Sequence, residues 1–436
     1  MHGVKRQPKT AASAQAKAER KTKEAAKLAS YLEIERTFFT YKRQGKKDQE
    51  ALAQTTKLLT LNPEQYTVWN YRREVLLNIF ASPLLVEQET TSKPDVFASL
   101  RDSTSSSPHN THEDSKTPEK EVEERGARNR NLLQDDLSLT EHALRAHPKV
   151  YWIWNHRMWC LTQYHIATAS NYDDENWIWH RELKLVEKML DLDPRNFHGW
   201  NCRRAIIEHL ALSIILSSSF NNTSSTRNPS KTPLAFPALL SSDEIVHEQL
   251  NAPVKAKLLS LAETELGYSL RKIESNFSNF SAWHQRTQLL PHLWKAKRLS
   301  VVQVNEAVDW ELELVKQAMY TDPSDQSVWF YHRWLIERLL SNDSTTIDQL
   351  ATKHRRINVL QQEIEVIQEL FELEPDSKWC AISLAHYHQL LAELYDDAQQ
   401  RTKSRKRSQE VLQKLIELDP DRQARYRDLL DGKAHF

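Results

Sequence analysis

Apolar residues recur at helical rather than alternating spacing along most of this chain, and one local pattern returns many times. The stretches KLLTLNP, EHALRAHP, KMLDLDP, KQAMYTDP, QELFELEP and LIELDP each carry apolar residues three or four apart, then a polar residue, then proline. Proline cannot continue the helix before it and suits the first turn of the helix after it, where its missing N–H has no partner to lose. Asn62, Asp193 and Asp322 then stand where a side-chain oxygen can cap the second helix. A second signature includes four of these prolines, in NPEQYTVWNYRR (62–73), HPKVYWIWNHRMW (147–159), DPRNFHGWNCRR (193–204) and DPSDQSVWFYHRW (322–334), and recurs without proline in SNFSNFSAWHQR (275–286). Its tryptophans are Trp69, Trp154, Trp200, Trp283 and Trp329, each with a basic residue three or four positions later. The repeating unit is therefore an αα-hairpin, present at least five times, with degenerate copies at 374–388 and 418–430.

On the second helix Tyr66, Trp69 and Arg72 fall within an arc of about 120°, so aromatic ring and arginine stem form one stripe facing the preceding helix. A single hairpin cannot bury that stripe, and neighbours must stack. The expected fold class is all-α: a right-handed superhelical solenoid of TPR-like αα-hairpins forming a crescent. Residues 1–45 read as a tail and leading helix, and 46–436 as the repeat domain. Two Ser/Thr/Pro-rich insertions, near 82–128 and 217–235, are expected to be disordered, and the charged stretch 396–410 a solvated helix face or loop.

Composition supports this and narrows the function. Six glycines are too few for a sheet protein or a phosphate-cradling α/β enzyme. Lysine plus arginine equals aspartate plus glutamate at 59 each, with no basic half, which argues against nucleic acid as a partner. No apolar run reaches the roughly 20 residues of a membrane span, and the N-terminus lacks a signal-peptide core. Cys160, Cys202 and Cys380 form neither a disulfide framework nor a CxxC pattern and are expected to be reduced thiols in a cytoplasmic protein. P-loop, GxGxxG, HExxH and GxSxG motifs are absent, and His386 and His388, two apart, point to different helix faces. Periodicity alone leaves a non-enzymatic TPR-like scaffold as the simplest function.

The iterated Pro-x-x-aromatic-x-x-Trp-x-x-Arg pattern resembles the repeat of protein prenyltransferase α subunits, over almost the whole chain outside the insertions. ENWIWHRELKLVEKMLDLDPRNFHGWNCRR (175–204), NFSNFSAWHQR (276–286), DPSDQSVWFYHRW (322–334) and the opening MHG are similar to the branch that serves Rab geranylgeranyltransferase, in a short form without the immunoglobulin-like and leucine-rich domains of animal members. The α subunit shared by farnesyltransferase and geranylgeranyltransferase I is the alternative within the family. The resemblance implies a heterodimer whose β subunit holds zinc and the isoprenoid diphosphate, with magnesium as a further metal of the reaction. Geranylgeranyl diphosphate would bind at the subunit interface, and the substrates would be C-terminal cysteines of Rab GTPases presented by an escort protein. It further implies that hairpin turns of α face the diphosphate. The family's Lys-Asn-Tyr turn matches Lys149-Val150-Tyr151, and its Lys-Asn-Tyr-His turn matches Arg195-Asn196-Phe197-His198. Lys149, Tyr151, Arg195 and His198 are thus the diphosphate-facing candidates, while Phe197 lacks the hydroxyl. Asn155 and Asn196 are expected to cap or bridge turns. His2 is a candidate ligand to the partner's zinc.

Overall fold

A computed structural model describes residues 14–83, 118–167, 172–219, 235–242, 251–340 and 349–436. Among them the chain is α-helical with two short 3-10 segments and no strand. The helices are α1 (Ala14–Arg43), α2 (Gln49–Leu61), α3 (Tyr66–Ala81), α4 (Pro118–Ala146), α5 (Tyr151–Ala167), α6 (Tyr172–Leu192), α7 (Phe197–Ser219), α8 (Ala252–Ser275), α9 (Phe280–Ala296) and α10 (Val301–Thr321). They continue with α11 (Gln326–Leu340), α12 (Gln349–Leu373), α13 (Lys378–Leu394), α14 (Ala398–Leu418) and α15 (Gln423–Leu430). The all-α hairpin-repeat class read from the sequence is the class observed. Two compact units, Met1–Lys184 and Leu185–Phe436, divide within α6. No helix of the described residues is long and apolar enough to cross a membrane.

The turns correct one expectation. Asn62 and Asp322 do not cap the second helices; they end the first ones, accepting nothing from α3 or α11 but bonding the amides of Glu64 and Ser324 two residues on (3.2 and 3.0 Å). The second helices start later, at Tyr66, Tyr151, Phe197 and Gln326. Between the helices lies a β-turn closed by N–H→O=C bonds from Val150 to His147 (3.2 Å), Asn196 to Asp193 (3.1 Å) and Asp325 to Asp322 (3.2 Å). Proline fills the second turn position, where its fixed φ is already right, rather than the first helical turn.

That turn explains the tryptophans. Each indole N–H donates to the carbonyl six residues back: Trp69 to Pro63, Trp154 to Pro148 and Trp200 to Pro194 at 2.8 Å, Trp283 to Phe277 at 2.7 Å, Trp329 to Pro323 at 2.9 Å. All five rings are buried, so each both fills the hairpin core and satisfies a turn carbonyl that the helices leave unpaired.

The arginine three residues later ties hairpins together. In the first unit Arg72 grips Asp136 of α4 with two hydrogen bonds (2.9 and 2.5 Å) and also donates to Leu52 O and Thr55 Oγ1 of α2 (3.1 and 2.7 Å). Arg157 grips Glu182 (2.5 and 2.6 Å) and donates to Leu137 O and Thr140 Oγ1 (2.6 and 2.9 Å). In the second unit Arg203 pairs with Glu265 (2.8 and 2.5 Å) and Arg286 with Glu311. The last position changes residue but not purpose: His332 bonds Glu363 (2.8 Å) and Tyr387 Oη (2.7 Å). Asp136, Glu182, Glu265 and Glu311 each stand eighteen positions before the tryptophan of their own hairpin, and the first hairpin, which has no predecessor to bind, carries Ala51 there. Neighbour-to-neighbour coupling of this kind is what makes a repeat array cooperative.

One boundary differs from the composition-based reading. Residues 118–128, assigned to the first insertion, are the opening turns of α4, held by Arg128, whose guanidinium donates to Ile79 O (2.7 Å) and Ser82 O (3.0 Å). The rest of that insertion, 84–117, and most of the second, 220–234, lie outside the described residues. The charged stretch at 396–410 runs into α14, capped by Asp397, whose carboxylate accepts from Gln400 N at 2.7 Å.

Candidate functional site

The four candidate residues occupy two turns of the same design, one in each unit. Lys149 is the third residue of the α4–α5 β-turn and is exposed. It precedes the helix rather than sitting inside its first turn, so the N-terminal amides of α5 open beside it. Tyr151 is the first residue of α5 and is 52% exposed. Its ring meets Trp152 edge-on at 5.1 Å, and Trp152 meets Tyr66 of α3 at 5.3 Å. Aromatic neighbours thus flank the tyrosine on one side while about half of its surface stays exposed. Behind the turn Asn155 accepts from Arg73 Nη2 (2.6 Å), which joins α5 to α3 as a bridging asparagine should.

In the α6–α7 turn Arg195 takes the lysine's place and is exposed. Asn196, buried, caps α7 by accepting from the amides of His198 and Gly199 (3.1 and 3.5 Å). Phe197 stands where Tyr151 stands and is 60% exposed. His198 is only 8% exposed, its ring 3.9 Å from that of Phe197. The cause is a close approach: a Cβ at Gly199 would come within 2.9 Å of Leu190 Cδ2, so glycine lets the start of α7 settle against the end of α6 and draws His198 inward. The structure therefore presents Lys149, Tyr151 and Arg195 outward and His198 largely inward. His2 lies outside the described residues.

Among the described residues one buried group has metal-ligand chemistry: Asp136, His156 and Cys160, with ligand atoms within 4.8 Å of one another. It does not fit a metal. Both Asp136 oxygens are taken, by Arg72 and by His156 Nε2 at 2.8 Å. Burial alone would raise the Asp136 pKa, but Arg72 and His156 bring it down to about 2. Burial pushes the Cys160 thiol well up, away from the thiolate a metal would need. The group is an ion-pair node of the repeat, and all three cysteines are buried and free.

His386 and His388 of α13 are not a ligand pair either; the Nδ1 atoms of both are buried without a partner. His386 stacks on Phe436 at 4.8 Å, and burial drives its pKa to about 4 from the ordinary 6.5. Between those values the unfolded chain binds a proton that the folded chain refuses. Stability is thus full above about pH 6.5 and falls as the pH drops towards 4. His386→Phe is expected to flatten the decline of Tm across that window; an unchanged slope would show that this imidazole does not contribute.

The residues that carry the inter-repeat clamp, Asp136, Glu182, Glu265, Glu311 and Glu363, were not singled out from sequence, although the first four stand at one fixed distance before a tryptophan.

Comparison with known proteins bears on this geometry. Residues 48–79, 133–164, 179–210, 262–293 and 308–339 match the protein prenyltransferase alpha subunit repeat, and every matched segment holds one turn and its tryptophan. The chain is 32% identical to the Schizosaccharomyces pombe geranylgeranyl transferase type-2 subunit alpha, over 98% of this chain and 97% of that one. Proteins of the same description from Candida albicans (27% identity; 99% and 98% covered) and Saccharomyces cerevisiae (28%; 99% and 99%) align similarly. A solved structure, Candida albicans protein geranylgeranyltransferase-I complexed with GGPP, superposes with a TM-score of 0.50 at 18% identity, covering 92% of this chain and 90% of that chain. That likeness supports the fold alone.

Proposed function

The chain belongs to the family of geranylgeranyl transferase type-2 α subunits, and from that premise we propose that it works as the α half of a heterodimer that moves a geranylgeranyl group from its diphosphate to C-terminal cysteines of Rab GTPases. The β subunit would hold both the isoprenoid and a zinc ion, and the Rab would arrive on an escort protein in the cytoplasm. The observation that carries the reading is the pairing of end-to-end likeness with an exposed cation and phenol at one hairpin turn, Lys149 and Tyr151.

When bound, the zinc would supply a thiolate at the substrate cysteine by lowering its pKa. This chain's part is electrostatic. As sulfur bonds to C1 of the isoprenoid, the C1–O bond breaks and charge gathers on the departing diphosphate. A cation already fixed beside those oxygens stabilises the transition state more than the ground state. Lys149 offers that cation and Tyr151 a hydroxyl donor, both at the N-terminal end of α5, whose dipole has the same sign. Arg195 adds a second exposed cation from the next turn. His198 can contribute only through the little of its ring that reaches solvent. The Lys149 side chain fills no core position, so its removal should leave the fold intact.

Lys149→Ala is accordingly expected to slow the chemical step about tenfold to a thousandfold while leaving assembly unchanged. Single-turnover kinetics of the reconstituted heterodimer separate that step from isoprenoid binding. A wild-type rate in both Lys149→Ala and Arg195→Ala would leave α only a scaffold. In the alternative heterodimer, the one shared with farnesyltransferase, the purified complex would instead modify CaaX peptides without an escort protein.

A further inference from the structure

Two arginines stand side by side on α3, and one carboxylate serves them. Arg72 takes both oxygens of Asp136 (2.9 and 2.5 Å). Arg73, half-buried, donates instead to two uncharged acceptors of α5, Asn155 Oδ1 at 2.6 Å and His156 Nδ1 at 3.3 Å. Because His156 Nδ1 accepts, the ring proton is on Nε2, which donates to Asp136 at 2.8 Å. Burial brings the His156 pKa down to about 4, so that imidazole is neutral at neutral pH. Among the described residues no carboxylate pairs with Arg73, and burial lowers its pKa with no carboxylate opposing the shift. Its positive charge is therefore partly stripped of water and left unbalanced.

That charge lies on the face that carries the candidate site. Tyr151 and Asn155 are one turn apart on the same side of α5. Side chains lean towards the N-terminus of their helix, so Asn155, and the guanidinium bound to it, lean towards Tyr151. On α3, Tyr66 and Arg73 are seven residues apart and share a face, and the Tyr66 ring meets Trp152 at 5.3 Å. The Arg73 guanidinium also lies 5.7 Å from the centre of the Trp159 ring. Two hydrogen bonds and a ring contact thus hold a positive charge about one turn behind Tyr151. A charge already held in place needs no reorganisation when an anion develops beside it, and it reaches further where rings replace water.

We propose that Arg73 is a positioning residue for the transfer step: anchored to Asn155 and His156, it fixes the turn of α5 that carries Tyr151 and sets an unbalanced positive charge behind the place where the diphosphate departs. The inference rests on the heterodimer reading above. Its test is single-turnover transfer by the reconstituted heterodimer, with inhibition by inorganic pyrophosphate as a second readout, for wild type, Arg73→Gln and Arg73→Lys. Arg73→Gln keeps a donor for Asn155 and loses the charge; Arg73→Lys keeps the charge and loses the fork. Arg73→Gln should slow the chemical step about tenfold and weaken pyrophosphate inhibition by a similar factor. Arg73→Lys should recover most of both losses, whereas a bridge that served only the fold would gain nothing from the restored charge. A rate and pyrophosphate inhibition in Arg73→Gln within about twofold of wild type would overturn the proposal. So would a loss of about tenfold or more in Arg73→Lys, whether or not Arg73→Gln folds. Absence of transfer by the wild-type heterodimer would strike the heterodimer reading instead, and a slow Lys149→Ala beside an unchanged Arg73→Gln would strike this inference alone.

Discussion

Replacing Trp200 by alanine is expected to destabilise the protein by about 3–5 kcal/mol. The ring is 1% exposed and lies 5.7 Å from that of Tyr268 of α8, so its removal opens an interior cavity instead of a surface dent. A second loss adds to the first. The Trp200 indole is the donor to Pro194 O at 2.8 Å, and that carbonyl belongs to the β-turn that also carries Arg195. Trp200→Phe separates the two effects: most of the cavity is refilled, and the carbonyl alone loses its donor, a change of about 1–3 kcal/mol. Urea unfolding of the three proteins measures both. An unchanged midpoint in Trp200→Ala would mean that the tryptophans decorate a surface, and the hairpin-repeat packing would be wrong.

Arg157→Ala should cost a similar amount for a different reason. Arg157 and Glu182 are both buried, so truncating the arginine strands a carboxylate in the interior, a penalty of about 3–5 kcal/mol. It also removes the donor to Leu137 O and Thr140 Oγ1. The double change Arg157→Met with Glu182→Leu should recover most of the loss, because a well-packed apolar pair no longer has a charge to solvate. A large single-mutant loss with recovery in the double identifies the clamp as a charge pair. A single-mutant loss below about 1 kcal/mol would show that the guanidinium merely packs.

Much of this architecture could be read from the chain, and what escaped has identifiable causes. The hairpins were legible because helical apolar spacing ended in proline six times, and the tryptophans because their spacing is regular. The position of the caps was not: an Asp-Pro or Asn-Pro pair fits a helix start and the first half of a β-turn equally well, and only the turn's closing bond from Asn196 N to Asp193 O decides. The opening of α4 was mistaken for a loop because Glu- and Lys-rich sequence suits a solvated helix as well as a disordered segment. The role of Arg72 was half seen. Its stem was expected against the preceding helix, but its bidentate bond runs to Asp136, 64 residues on, across an insertion that hides the spacing. Among the candidate site residues, exposure of Lys149 and Tyr151 follows from their place in the turn. Burial of His198 does not, because it depends on how closely Gly199 lets α7 approach Leu190, a tertiary distance with no sequence period of its own.

The central claim is that this chain is one half of an enzyme whose transfer chemistry needs the other half. It is tested most directly by assaying transfer of labelled geranylgeranyl from its diphosphate to a Rab GTPase with escort protein, using the purified chain alone, its β subunit alone, and the two mixed. The account predicts turnover only in the mixture, saturating at one chain per β subunit. Turnover by the chain alone, or a β subunit equally active without it, would contradict it.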